Sequence, residues 1–310
     1  MATLLLCLFD GPRSESAHTV LQLARSAIES GHTANVFLGG DGTAHAETLA
    51  PLRNHGGRVV SCSADAAVRG WDRPGTPGRG SFVDLGTMAA EADAMASFGC
   101  TATLDGRVVV RHGPADERGW IALRVATALT FTGRPVRTVL DGAAAGWAVQ
   151  GLDARAWLDG DPARDLDGLV DDAGATVLVG AATLATHAIE ATAVRSTVRV
   201  VDDAWQAAAP QPALQGQTLH AVTRTITDAL AVHAIAADVH GGLPVRTLGL
   251  HDGVYETTVL ARSLSDEGLT QVRLGAEDCR RRGLTPPPER LDEYPAIVDA
   301  MLSAAATFVW

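Results

Sequence analysis

The stretch FDGPRSESAHTVLQLARSAIESGHTANVFLGGDGTAHA, residues 9–46, decides the fold because the chain repeats its plan. It returns as RHGPADERGWIALRVATALTFTGRPVRTVLDGAAAGWA, residues 111–148. Both run Gly-Pro, helix, Gly, apolar strand, Asp-Gly. A weaker third copy is LHAVTRTITDALAVHAIAADVHGGLPVRTLGLHDGVYE, residues 219–256. The Asp-Gly pairs are Asp41-Gly42, Asp141-Gly142 and Asp252-Gly253. Solenoid units repeat every ~20–50 residues. Copies roughly a hundred residues apart are whole domains, so the chain reads as three tandem copies of one small α/β unit.

Within the first copy TLLLCLF is a buried strand, and SAHTVLQLARSAIESG a helix stopped by Gly31. TANVFLGG is the second strand, AETLAPLRNHGG a second helix and RVVSC a third strand. A helix begins at SADAAVRG, WDRPGTPGRG (71–80) is a loop, and TMAAEADAMASFG reads as a last helix. Strands alternating with helices imply a parallel sheet covered on both faces. The second copy places strands at RVVVRHG, PVRTVLDG, ATVLVG and STVRVVDD; AWQAAAPQPALQGQ (204–217) reads as the main linker. The third places them at TLHAVTR, VRTLGLHDG, TQVRLGAE and AATFVW. The expected boundaries are 1–101, 102–213 and 214–310.

Composition narrows the function. A chain of 310 residues that is 46% apolar supports two or three domains. No apolar run reaches the ~18 residues of a membrane span, and TLLLCLF suits a first strand better than a signal peptide. Four cysteines make no disulfide framework, so a reducing cytoplasm is expected. The net charge is −11, which argues against direct nucleic-acid binding. Every basic residue other than histidine is arginine; with no lysine, Schiff-base and Walker-type chemistry are excluded.

Cys62 ends the strand RVVSC just before a helix. In an open parallel sheet that is the crevice at the carboxyl ends of the strands. The following helix aims free N–H groups at the sulfur, which favours thiolate. An ordinary thiol with a pKa near ~8.5 is only about 3% ionised at pH 7, so such help matters for a nucleophile. Arg69 follows one turn or two later and is placed to fold back toward an anion.

NHGGRVVSCSADAAVRG resembles the DsrE family, in which a cysteine ends a strand and Arg-Gly closes eight residues later, here Arg69-Gly70. VFLGGDG is similar to that family's second strand and Asp-Gly turn. LHAVTRT, DGVYE, EDCRRRGL and the terminal Trp310 resemble DsrH (TusB), and VGAATLATHA falls where DsrF (TusC) belongs. The resemblance implies a fusion of three sulfur-relay subunits, with three DsrE-like domains. It implies a sulfurtransferase that takes a persulfide sulfur on Cys62 from a TusA-like donor or a desulfurase. The sulfur then passes to a TusE/DsrC-like or biosynthetic acceptor, with no cofactor. By the same resemblance the chain forms a homodimer. The pattern departs from the family at Gly180, which stands where DsrF has cysteine, at His187-Ala188 in place of Arg-Gly, and at Gly275. The alternatives are a scaffold or binding protein that kept the fold, or a thiol redox protein.

Other thiols rank lower. Cys7 lies among leucines and Cys100 at a junction. Cys279, before Arg280–Arg282, is the rival thiol, since the arginines would depress its pKa. Asp41 is either a supporting group in the crevice or a turn residue. Histidine and cysteine spacings show no HExxH, HxxxH or CxxC, so no metal site is expected.

Overall fold

The structure, a computed structural model, describes residues 1–71, 78–152, 161–209, 216–224, 229–240, 242–255 and 270–310. Three five-stranded sheets follow one another along the chain. The first holds β1 (Thr3–Leu8), β2 (Thr33–Leu38), β3 (Arg58–Cys62), β4 (Arg79–Gly80) and β5 (Ala94–Phe98) in the order β4-β3-β2-β1-β5. The second holds β6 (Thr101–Ala102), β7 (Arg107–Val110), β8 (Arg137–Leu140), β9 (Thr176–Gly180) and β10 (Val198–Val201), ordered β10-β9-β8-β7-β6. The third holds β11 (Thr218–Val222), β12 (Val245–Gly249), β13 (Thr270–Gly275), β14 (Leu291–Asp292) and β15 (Ala306–Val309), ordered β14-β13-β12-β11-β15. All pairings are parallel except β6 with β7. The central strands carry continuous apolar runs because helices cover both faces, and five of the six residues of TLLLCL are fully buried.

The sheets do not keep separate cores. Phe37, Phe82 and Leu85 of the first pack with Trp120, Leu123 and Leu129 of the second. Leu4, Val20 and Leu23 pack with Ile297, Val298 and Met301 of the third. Val109 and Trp205 pack with Ile235, Val239 and Phe308. The helices pair across each seam: Phe82–Ala90 with Glu117–Thr130, Ser16–Glu29 with Tyr294–Ser303, and Ala204–Ala208 with Ala229–His240. Edge strands β5, β6 and β15 meet at the centre, so the three sheets surround a common axis.

Two sequence expectations change here. TMAAEADAMASFG is not one helix: a helix covers Phe82–Ala90, and AMASF is the fully buried strand β5. Its alanine-rich apolar run carries no β-branched residue to announce a strand. The expected linker at 204–217 begins as a helix, Ala204–Ala208, capped by Asp203; residues 210–215 lie outside the described residues. Trp205 anchors this helix. It is 2% exposed, lies against Phe308 and Trp310, and donates through Nε1 to Asp238 at 3.2 Å. Asp238 also meets His220 Nε2 at 3.0 Å, while Trp310 Nε1 donates to His220 Nδ1 at 3.0 Å. The Trp310 bond makes Nδ1 the acceptor, so Nε2 carries the proton to Asp238.

Among the described residues no helix is long and apolar enough to cross a membrane. The seam between the second and third sheets leans on Trp205, and Trp205→Ala should cost about 3–5 kcal/mol in urea unfolding. A loss under about 1 kcal/mol would mean the seam holds without it.

Candidate functional site

Every candidate residue is placed by one recurring turn. The N–H groups of Gly39, Asp141 and Leu250 donate to Leu8 O, Val110 O and Val222 O at 3.1, 2.9 and 2.9 Å. These bonds align the copies: Asp41 matches Ala143 and Asp252, two residues on. The sequence equivalence of Asp141 with Asp41 is thereby corrected, since Asp141 stands two places earlier. The turn is tight. In the first and third sheets a Cβ on Gly42 or Gly253 would lie 1.9 Å from Leu8 O or Val222 O, so glycine is required there, whereas the second sheet's turn carries Ala144 at this place.

Asp41 is more than a turn residue. Arg69 Nε donates to Asp41 Oδ1 at 2.7 Å and Nη2 to Glu117 Oε2 at 2.6 Å. Glu117 belongs to the second sheet's helix, so the arginine ties two units together. The third sheet repeats the arrangement: Arg282 reaches Asp252 at 2.9 Å and Glu15 of the first unit at 3.1 Å. Gly70 closes the helix after Arg69 at φ +69°. Arg69 is therefore not the group that faces the cysteine.

That group is Arg124, which the sequence reading did not single out. Its Nη2 lies 3.6 Å from Cys62 Sγ and its Nη1 donates to Asp65 Oδ1 at 2.7 Å. Phe82 and Trp120 sandwich the guanidinium at 3.9 and 4.7 Å. Asp65, fully buried, also accepts the Gly40 N–H at 2.6 Å. Cys62 ends β3 as expected and caps the helix Ser63–Val68, but it is 1% exposed. Burial pushes its thiol above the ordinary range and Asp65 adds to this; the Asp65 N–H and Arg124 oppose it. Of the loop read at 71–80, residues 72–77 lie outside the described residues and Arg79–Gly80 form the edge strand β4.

Cys279 also departs from expectation. It is 1% exposed, and burial followed by Asp278 raises its pKa. Arg282 and Arg280 oppose that rise as expected, but do not overcome it, and their short bonds go to Asp252 and Glu293. Cys7 and Cys100 are buried as well, their thiols raised by burial, Cys100 to about 12. In the third unit Gly275 stands where the first has Cys62, three residues before Asp278 as Cys62 stands before Asp65.

Crevices open at the carboxyl ends of the strands. One of about 610 Å³ lies between the first and third sheets, lined by Asp10, Glu15, His251, Asp252 and Arg282. Another of about 460 Å³ lies between the first and second, lined by Asp41, Arg69, Glu117 and Arg118. Between them, on the axis, is a cavity of about 100 Å³ bordered by Asp10, Cys100, Arg111, His112, Arg118 and Arg224. Asp10, His112 and Arg224 are equivalent positions, each two residues beyond the end of its sheet's first strand. Arg111 lies over Trp310 at 4.8 Å. Arg118 holds Asp116 and Arg224 reaches Asp10 at 3.3 Å. Burial and then Arg118 lower the pKa of His112, with Arg111 and Arg224 adding to the effect.

No family model and no curated protein matches the chain. Among solved structures it is similar to MurG of Acinetobacter baumannii, with 12% identity and TM-score 0.22 over 98% of this chain and 71% of that one. It is also similar to SsfS6, a glycosyltransferase of Streptomyces sp. SF2575, with 12% identity and TM-score 0.20 over 97% and 90%. Neither of these two neighbours is a DsrE, DsrF or DsrH protein, and the sulfur-relay assignment is corrected accordingly: the persulfide carrier expected at Cys62 is not upheld. TM-scores this low establish neither a common fold nor a common reaction.

Two measurements follow from the Arg124 geometry. Arg124→Met strands the buried Asp65 carboxylate and should cost about 3–5 kcal/mol in denaturant unfolding, a cost that Asp65→Leu in the same chain reduces. Alkylation of the native protein, mapped by mass spectrometry, should be slow at Cys62 at pH 7 and still rising with pH above 9, because the raised pKa leaves little thiolate below it. Labelling as fast as a free thiol at pH 7 would show an open, ionised Cys62.

Proposed function

We propose that the protein binds a small oxyanion, or the oxyanionic end of a small molecule, in the cavity where the three sheets meet. The observation that carries this reading is the convergence of Arg111, His112, Arg118 and Arg224 on one cavity in a chain whose net charge is −11. Guanidinium groups offer forked donors that match carboxylate and phosphate oxygens. The facing acids, Asp10 and Asp116, already accept from Arg224 and Arg118, which fixes those side chains in place. A cavity of about 100 Å³ is well below the ~300–1,000 Å³ of a drug-sized site, so the group bound there is small, and the adjoining crevices accommodate whatever is attached to it.

The same reading takes the chain as three tandem α/β units, bounded near 101–102 and 213–214. The recurring turn supports it, as does the run of four parallel strands common to all three sheets, although the fifth strand of the second sheet, β6, precedes that run and is antiparallel. Fusion then has a chemical consequence: equivalent positions in the three units carry an acid, an imidazole and a guanidinium, so the axis is asymmetric, and Arg111 and Arg118 make it net basic.

Calorimetric titration at low ionic strength with phosphate, sulfate and small carboxylates should show one site per chain. Arg118→Gln or Arg224→Gln should weaken it about tenfold. Affinity should rise as pH falls through the lowered pKa of His112, because the imidazolium adds a positive donor. Absence of binding by every anion, or affinity that both variants leave intact, would sink the reading.

A further inference from the structure

The twin clusters at the first and third sheets differ in one respect that has a chemical meaning. In the first, the buried Asp65 is matched by two kinds of donor, the Gly40 N–H at 2.6 Å and the Arg124 guanidinium at 2.7 Å. In the third, Asp278 is the equivalent carboxylate, 3% exposed, and the His251 N–H replaces that of Gly40. The helix that carries Glu15 is equivalent to the one that carries Glu117: Ser14 N bonds Gly11 O just as Asp116 N bonds Gly113 O. Seven residues beyond Glu117 stands Arg124; seven beyond Glu15 stands Gln22. The second guanidinium is therefore missing from the third cluster. Arg282 approaches Asp278 only to 3.7 Å, its short bonds going to Asp252 and Glu15.

What stands in that place is a set of metal-ligating groups. Donor atoms of Glu15, His251 and Asp278 lie within 4.8 Å of one another at the wall of the larger crevice. They come from three separate elements: the turn before the helix Ser16–Glu29, the turn after β12, and the helix Ala276–Arg281. His251 is 7% exposed and holds a left-handed backbone at φ +48°. Its Nε2 meets Thr19 Oγ1 at 2.6 Å, which fixes the ring and leaves Nδ1 as the nitrogen for an ion. Glu15, Asp252 and Asp278 gather around the guanidinium of Arg282, with His18 hydrogen-bonded to Glu277 at 2.8 Å, while Arg13 and Arg224 line other parts of the crevice.

We infer that Glu15, His251 and Asp278 form a site for one divalent ion of the first transition row, which supplies the positive charge that Arg124 supplies in the twin cluster. One imidazole with two carboxylates suits Zn2+ and its neighbours in the row better than Ca2+ or Mg2+. Ligand bonds of about 2.1 Å place donors at most roughly 4.2 Å apart, so a small rotation of the exposed Glu15 closes the set. Arg282 keeps the outer oxygen of Glu15 and orients it. The remaining coordination positions face the open crevice, where water or an anionic ligand completes the shell. The inference does not rest on the oxyanion reading, which concerns the axial cavity.

Equilibrium dialysis of the full chain against Zn2+, counted by elemental analysis, should give one ion per chain. Co2+ substitution should give visible absorption bands of a low-symmetry site. His251→Asn is chosen because asparagine tolerates the left-handed backbone. It and Asp278→Asn should each weaken Zn2+ at least about 100-fold. Cys62→Ser should leave the ion in place. Should the buried variants fail to fold, Glu15→Gln at the exposed ligand carries the test, with a loss of at least about tenfold. No ion retained at micromolar Zn2+, or retention undiminished in Glu15→Gln and His251→Asn, overturns the site, and so does loss confined to Cys62→Ser.

Discussion

The structure depends on packing three sheets edge to edge around one axis. Once β5, β6 and β15 meet at the centre, the helix that follows the first strand of one unit lies against the strand ends of another. Glu117 and Arg124 thereby enter the first unit's crevice, and Glu15 and Thr19 enter the third's. No crevice is completed by one unit alone. The three largest cores follow the same logic, each drawing apolar side chains from two sheets. A chain of this kind stabilises its sites and its seams with the same residues.

Arginine carries the polar part of that arrangement. Arg107, Arg111 and Arg124 all lie over aromatic rings at 3.9–5.2 Å. A planar, weakly hydrated guanidinium can be buried on an aromatic face and still donate at its edge, whereas an ammonium is a strongly hydrated point charge. The absence of lysine is thus compatible with seams that bury cations. Arg124 combines both uses, stacking between Phe82 and Trp120 while its edge serves Asp65 and Cys62. A buried pair of this sort adds little net stability relative to apolar residues, but removing one partner leaves a charge without compensation.

Much of the fold was legible in the sequence because parallel strands buried on both faces leave unmistakable apolar runs. TLLLCL, RVVV, TVLVG and the tandem echo all read correctly as strands of successive α/β sheets. AMASF did not, since alanine and methionine suit helix and strand alike. The helix at Ala204–Ala208 was hidden by its Ala/Gln composition, although Trp205 was a signal that something had to bury a large ring. The site was less legible. Cys62 fell at a strand end as read, but its sealed setting depends on Arg124, sixty-two residues away on another unit. The Asp41–Arg69 contact was within reach of the pattern, and the copy that lacks it could have shown its purpose. Counting by Asp-Gly pairs concealed that copy, because the backbone equivalence of the second unit runs through Ala143 instead of Asp141.

Motif spacing finds metal ligands when they share a helix or a knuckle, and Glu15, His251 and Asp278 share neither. Only the backbone register shows that His251 occupies the place of Gly40 and Gln22 that of Arg124. At the first sheet a guanidinium neutralises the buried carboxylate permanently. At the third the same carboxylate lacks that partner and borders an open crevice, so its charge can be met by something that comes and goes. A fixed cation builds a seam, whereas an exchangeable one makes a site responsive to what the surrounding solution contains.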